Sequence, residues 1–106
     1  MEKQKYAAIV LAAGSGKRMN SQVHKQYLII QDRPVLYYSL KEFEDSAVDE
    51  IVLVVGKGEE EFCRREIVDK YGISKVKAIV EGGKERYHSV FEGLKQTSDA
   101  DYVLIH

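Results

Sequence analysis

Apolar positions along the chain fall into two alternating rhythms. Four short continuous runs, Tyr6–Ala12, Ile51–Val55, Val76–Val80 and Tyr102–His106, are mostly β-branched, aromatic or small. Runs of this length without polar alternation predict strands buried on both faces. Between them the apolar residues recur every three to four positions, which predicts helices. The first helix is expected to start at Pro34, whose fixed φ suits a first turn, and to carry Leu36, Leu40 and Phe43 on one side. The second runs from about Glu59 to Tyr71, with Cys63, Ile67 and Tyr71 in line, Gly72 as its stop, and Glu59, Glu60 and Glu61 complementing its N-terminus. The third runs from about Lys84 to Thr97, with Tyr87, Val90, Phe91 and Leu94 as its apolar face.

Strand and helix alternation of this kind predicts a Rossmann-like α/β fold, a parallel sheet with helices on both faces. Ligands in such sheets bind beyond the carboxyl ends of the strands. Two glycine pairs are predicted to fall there: Gly14 and Gly16 after the first strand, and Gly82 and Gly83 after the third.

Composition narrows the partners. With 106 residues and 44% hydrophobic positions the chain suffices for one small compact unit. A formal net charge of −1 gives no general attraction to nucleic acid or membrane surfaces. No apolar stretch approaches the roughly 20 residues of a membrane helix, and no signal peptide is evident. One cysteine precludes an internal disulfide, as suits a cytoplasmic protein.

The cations are concentrated where the first glycines lie. Leu11-Ala12-Ala13-Gly14-Ser15-Gly16-Lys17-Arg18-Met19 follows the first strand, with Lys25-Gln26 shortly after. Small residues and glycines let a polyphosphate approach backbone N–H groups closely, and Lys17, Arg18 and Lys25 bring positive charge to the same place. Two commoner phosphate loops are excluded by spacing. A Walker loop needs an earlier glycine and a Ser or Thr after its Gly-Lys pair, whereas here Leu11 and Arg18 stand at those positions. The dinucleotide fingerprint needs a third glycine where this chain has Met19. The remaining expectation is a triphosphate whose charge is neutralised during reaction.

At these residues the chain resembles the cytidylyltransferases of the non-mevalonate isoprenoid pathway. Their signature has the form L-A-A-G-x-G-x-R-M, then K-Q-[FY]-L, then G-G-x-x-R-x-x-S-V. It is matched by Leu11 to Met19, by Lys25-Gln26-Tyr27-Leu28 and by Gly82-Gly83-Lys84-Glu85-Arg86-Tyr87-His88-Ser89-Val90. The resemblance runs from about Tyr6 to His106. It implies a fold of the nucleotide-diphospho-sugar transferase type and transfer of the cytidylyl group of CTP to 2-C-methyl-D-erythritol 4-phosphate. Ala12, Ala13, Gly14 and Gly16 would cradle the triphosphate. Arg18 and Lys25 would stabilise the charge that builds during transfer, as complementary bidentate and point donors. Gly82, Gly83 and Ser89 would recognise cytosine, with Arg86 organising that loop. The family's Mg²⁺ ligand, its sugar-phosphate grip and its dimer arm are implied to follow His106. Residues 1–106 are therefore read as the N-terminal, CTP-binding half of one domain, truncated after the fourth strand, from a parent that forms a homodimer.

Each assignment has a plainer competitor. The loop cations could be solvated, and Lys17, at an unspecified position of the signature, favours that reading as strongly as the other. Ser89 could be an ordinary early-helix hydroxyl. His24 departs from the family's usual Pro, Asn or Arg and reads as a loop residue. His88 and His106 have no spaced partners for a metal site or catalytic triad, and Cys63 sits on a core-facing helix stripe. Rival readings are a ribitol- or hexose-phosphate nucleotidylyltransferase and a non-catalytic nucleotide-binding module. Ala13 speaks against the first, since such relatives often carry two glycines there.

Overall fold

The computed structural model describes residues 4–12, 29–30 and 33–106. Its centre is a four-stranded parallel sheet built from β1 (Tyr6–Leu11), β4 (Glu50–Val55), β5 (Val76–Glu81) and β6 (Tyr102–Ile105), in the order β5-β4-β1-β6. All four strands coincide with predicted runs to within a residue at each end. A small antiparallel pair, β2 (Ile29–Ile30) and β3 (Arg33–Pro34), was not anticipated, two residues being too short for a period to register.

The central strands are the most completely buried. Ala7 to Val10 of β1 and every residue of β4 lie inside. Alternate residues feed two cores. Ala8, Val10, Ile51, Leu53 and Val55 pack with Leu36, Leu40, Cys63 and Ile67 on one face. Ile9, Val52 and Val54 pack on the other with Leu11, Val80 and Val103. The first face is covered by α1 (Val35–Glu44) and by α2 (Glu60–Cys63) with its continuation. The second is covered by α3 (Arg86–Lys95), which touches β1, β4 and β5. The reversal follows from the strand order. The chain moves outward from β1 to β4 to β5, and then returns across the sheet to place β6 on the far side of β1.

Two details of the first two helices differ from expectation. Pro34 caps α1 from outside, with φ −62° and an extended ψ of 147°. The second helix begins as α and widens to a π-turn over Arg64–Asp69. Its i→i+5 spacing brings Val68 as well as Ile67 into line with Cys63, and all three are buried. Gly72 then ends the segment at φ +66°, as expected.

The largest correction concerns α3. Tyr87, Phe91 and Leu94, predicted to face the core, are 68%, 58% and 43% exposed, whereas Ser89 and Gly93 are buried. Helix and sheet approach through the smallest residues, leaving the aromatic side with no cover among the described residues. The outer strand β6 likewise leaves Leu104 and Ile105 about half exposed, at 48% and 45%.

At the amino end of the sheet, Lys5 and Lys77 alternate with Glu50 and Asp99 at separations from 2.5 to 3.5 Å. The Lys5 backbone N–H also donates to Asp101 at 2.6 Å, which ties the entry of β6 to that of β1. Lys5, Lys77 and Asp99 are open enough to solvent that their pairs contribute little individually, whereas Glu50 is buried and relies on both lysines as partners.

Candidate active site

The carboxyl end of β5 carries the Gly82–Gly83 segment, and the strand order reverses between β1 and β6, the kind of position beside which ligands bind in sheets of this type. Ala12 leaves β1 buried, and its N–H donates to the Val54 carbonyl at 2.7 Å. That amide is committed to the sheet, so Ala12 contributes smallness rather than a donor. The other members of the loop, Ala13, Gly14, Gly16, Lys17, Arg18, His24 and Lys25, lie outside the described residues, as do Gln26, Tyr27 and Leu28.

The second glycine segment is described in full. The Gly82 N–H donates to the Val55 carbonyl at 2.8 Å, which fixes the exit from β5 and commits that amide to the sheet. Gly83 has a steric reason to be glycine. A Cβ there would stand 2.2 Å from Cβ of His88. Chain direction then reverses into α3 at Glu85, whose extended backbone (φ −112°, ψ 161°) makes it the N-cap. The Glu85 N–H donates to Nδ1 of His88 at 3.2 Å. This is a capping box in which histidine takes the part usually played by Glu or Gln.

Ser89 follows in the first turn of α3. It is 2% exposed, and its hydroxyl oxygen is buried with no hydrogen-bond partner among the described residues. A buried hydroxyl without a partner costs about 1–3 kcal/mol, so this orphan is the feature of the described structure that most calls for a ligand. Arg86 opens α3 and lies exposed beside Tyr87, Val90, Phe91 and Leu94, away from that hydroxyl's buried environment.

A carboxylate cluster borders the same edge: Glu59 and Glu60 lie at the N-terminus of α2, as the sequence predicts, whereas Glu81 was not singled out. Glu59, the N-cap of α2, accepts the Gly56 N–H at 3.0 Å. Glu81, the last residue of β5, accepts the Gly58 N–H at 3.0 Å, which holds its carboxyl below the usual carboxylate range, assisted by a hydrogen bond with Glu60. The same hydrogen bond raises the Glu60 carboxyl, which keeps its proton longer. The Gly58–Glu81 bond thus ties the loop after β4 to the end of β5, next to Gly82. Among the described residues no group of three or more His, Cys, Asp or Glu side chains could hold a metal ion. No helix among them is long and apolar enough to cross a membrane. A groove of about 370 Å³ is lined by Tyr6, Phe43, Val48, Leu104 and His106, with none of its lining from the Gly82–Ser89 segment.

Strand order and helix placement define a Rossmann-like α/β fold of the type seen in nucleotidyltransferases. A family model described as IspD, 2-C-methyl-D-erythritol 4-phosphate cytidylyltransferase, matches residues 6–106, and the chain belongs to that family. It is 56% identical over 103 residues to the 2-C-methyl-D-erythritol 4-phosphate cytidylyltransferase of Lachnoclostridium phytofermentans, covering 97% of this chain and 44% of that relative. Among solved structures it is similar to the 4-diphosphocytidyl-2C-methyl-D-erythritol synthase of Anaerococcus prevotii, at TM-score 0.75 and 31% identity over 97% of this chain and 42% of that one. The inositol-1-phosphate CTP transferase of T. maritima shares the fold at TM-score 0.66 and 24% identity, over 90% of this chain and 40% of that one. The chain spans less than half the length of the curated relatives it matches.

Proposed function

We propose that the protein containing this segment transfers the cytidylyl group of CTP to 2-C-methyl-D-erythritol 4-phosphate, releasing pyrophosphate, and that residues 1–106 supply the CTP-binding half of its single domain. The observation that carries the reading is the Ser89 hydroxyl, buried without a partner among the described residues, in the first turn of the helix that follows Gly82 and Gly83. A pyrimidine edge carries both donors and acceptors, and a buried site that pairs with it rejects analogues strongly.

In this reading an acceptor phosphate oxygen attacks the α-phosphorus, and the bond to the β-phosphate oxygen breaks. Ala12, Ala13, Gly14 and Gly16 leave room for the triphosphate, with the donors coming from residues after Ala12. Arg18 and Lys25 meet the negative charge that grows on the α-phosphoryl oxygens and the departing pyrophosphate, each supplying about 3–4 kcal/mol by analogy with single oxyanion donors. Mg²⁺ belongs to the reading as a further neutralising charge, with ligands outside the described residues. The setting is cytoplasmic and the parent a homodimer, with neither nucleic acid nor membrane as a partner. The 106-residue segment by itself is expected to bind CTP weakly and to turn over nothing.

The decisive assay is pyrophosphate release by the full-length protein with CTP or ATP and with methylerythritol phosphate or ribitol 5-phosphate. A large preference in kcat/KM for CTP with methylerythritol phosphate is expected. Equal rates with ATP would remove the cytidylyl assignment, and preference for ribitol 5-phosphate would move the protein to the neighbouring sugar-phosphate class.

A further inference from the structure

We propose that His88 is a positioning residue for base recognition, holding the turn that carries Gly82, Gly83 and Ser89 in its binding shape before nucleotide arrives. The proposal rests on the reading of those three residues as the base-contacting segment. His88 occupies an unspecified position of the signature G-G-x-x-R-x-x-S-V, so membership of the family does not assign it a task.

The geometry does. The side chain of His88 folds back against Gly83 so closely that a Cβ at Gly83 would lie 2.2 Å from its Cβ, 2.9 Å from its Cγ and 3.3 Å from its Nδ1. The same Nδ1 accepts the Glu85 N–H at 3.2 Å. One ring therefore braces the loop on its glycine side and closes the first turn of α3 on the other. Backbone bonds complete the clamp, with the His88 and Ser89 N–H groups donating to the Glu85 carbonyl at 3.0 and 3.3 Å. Ser89 is the next residue, so the direction of its hydroxyl is inherited from this turn. The Tyr87 ring lies over the imidazole at 4.2 Å between centroids, which limits where the ring can swing.

A loop of two glycines loses much conformational entropy when it is ordered around a ligand. If His88 orders it in advance, that cost falls on folding and not on binding. Loss of the acceptor should then weaken CTP binding and base choice while sparing the phosphoryl step.

The test uses the full-length protein as wild type, His88→Ala, His88→Asn and Ser89→Ala, assayed with CTP and UTP. Asparagine carries an acceptor oxygen at the same bond separation from Cβ as Nδ1 and can close the same turn. For His88→Ala the CTP KM should rise about tenfold with kcat within about twofold, and the CTP-over-UTP preference in kcat/KM should fall. His88→Asn should return both to near wild type, which a general loss of packing would not allow. An unchanged KM and base preference in His88→Ala, or a His88→Asn variant as impaired as His88→Ala, would overturn the proposal. If wild type used UTP as readily as CTP and Ser89→Ala left the CTP KM unchanged, the base-contact reading itself would fall, and this proposal with it. A Ser89-dependent CTP preference untouched by His88→Ala would remove the His88 role alone.

Discussion

Gly93 of α3 rests directly on Ile9 of β1: a Cβ at Gly93 would stand 2.7 Å from Cγ2 of Ile9 and 3.1 Å from its Cδ1. Ile9 is fully buried between Val52 and Val54 and has nowhere to retreat. Gly93→Ala gains about 1 kcal/mol of helix propensity but forces extra volume into a filled layer, at about 1–3 kcal/mol. We expect net destabilisation and a Tm lower by several degrees in thermal unfolding of the full-length protein. A rise in Tm would mean that α3 stands further from the sheet than this contact requires.

The orphaned Ser89 hydroxyl separates stability from binding. Ser89→Ala removes a buried group that has no partner among the described residues, relieving a penalty of about 1–3 kcal/mol. The unliganded protein should keep or raise its Tm, while the KM for CTP rises about five- to tenfold. A lower Tm together with an unaltered KM would identify Ser89 as a purely structural residue.

Arg18→Ala and Lys25→Ala address the charge that builds during transfer. Each should lower kcat by about 100- to 1,000-fold and raise the CTP KM by much less, because the charge they meet is largest in the transition state. Steady-state kinetics of the two variants provide the check. Near-wild-type kcat in both would remove them from the reaction.

Glu44 supplies an acid-sensitive brace. As the last residue of α1 it accepts the Ser74 and Lys75 N–H groups at 3.1 and 2.9 Å and also the Ser74 hydroxyl, joining that helix to the entry of β5. Partial burial pushes its carboxyl up, but those donors outweigh it and hold the carboxyl below the ordinary value of 4.5. A depressed folded value means that the stabilisation is complete above 4.5 and is lost as pH falls through the folded value. Glu44→Gln should therefore lower Tm near neutral pH, by about 1 kcal/mol of stability, and flatten the loss of Tm below 4.5. An unchanged acid limb in the variant would show that the brace carries no pH dependence.

Much of this was legible in the chain itself. Strands β1, β4, β5 and β6 are continuous apolar runs, and a central parallel strand has few other ways to be written. Gly82 and Gly83 were placed correctly at the carboxyl end of β5, because strand and helix alternation alone dictates that edge, while Gly14 and Gly16 lie outside the described residues. Gly72 could be assigned as a stop because a positive φ follows naturally from glycine at a helix end.

The face of α3 could not be read in the same way. Periodicity ranks residues by hydrophobicity, so Tyr87, Phe91 and Leu94 outweighed Ser89 and Gly93. What turned the helix was the closeness of its approach to Ile9, which only a residue without a side chain permits. The capping role of His88 was hidden for a related reason, since an Nδ1 acceptor three residues beyond an N-cap is not the Glu or Gln that a capping box usually shows. The sequence by itself determined the order of elements, the edge on which chemistry would lie and the family signature, all of which are local patterns. Only the tertiary structure decided which side of α3 meets the sheet, which amides are already committed and which hydroxyl is left buried without a partner among the described residues. Those depend on distances between segments far apart in the chain.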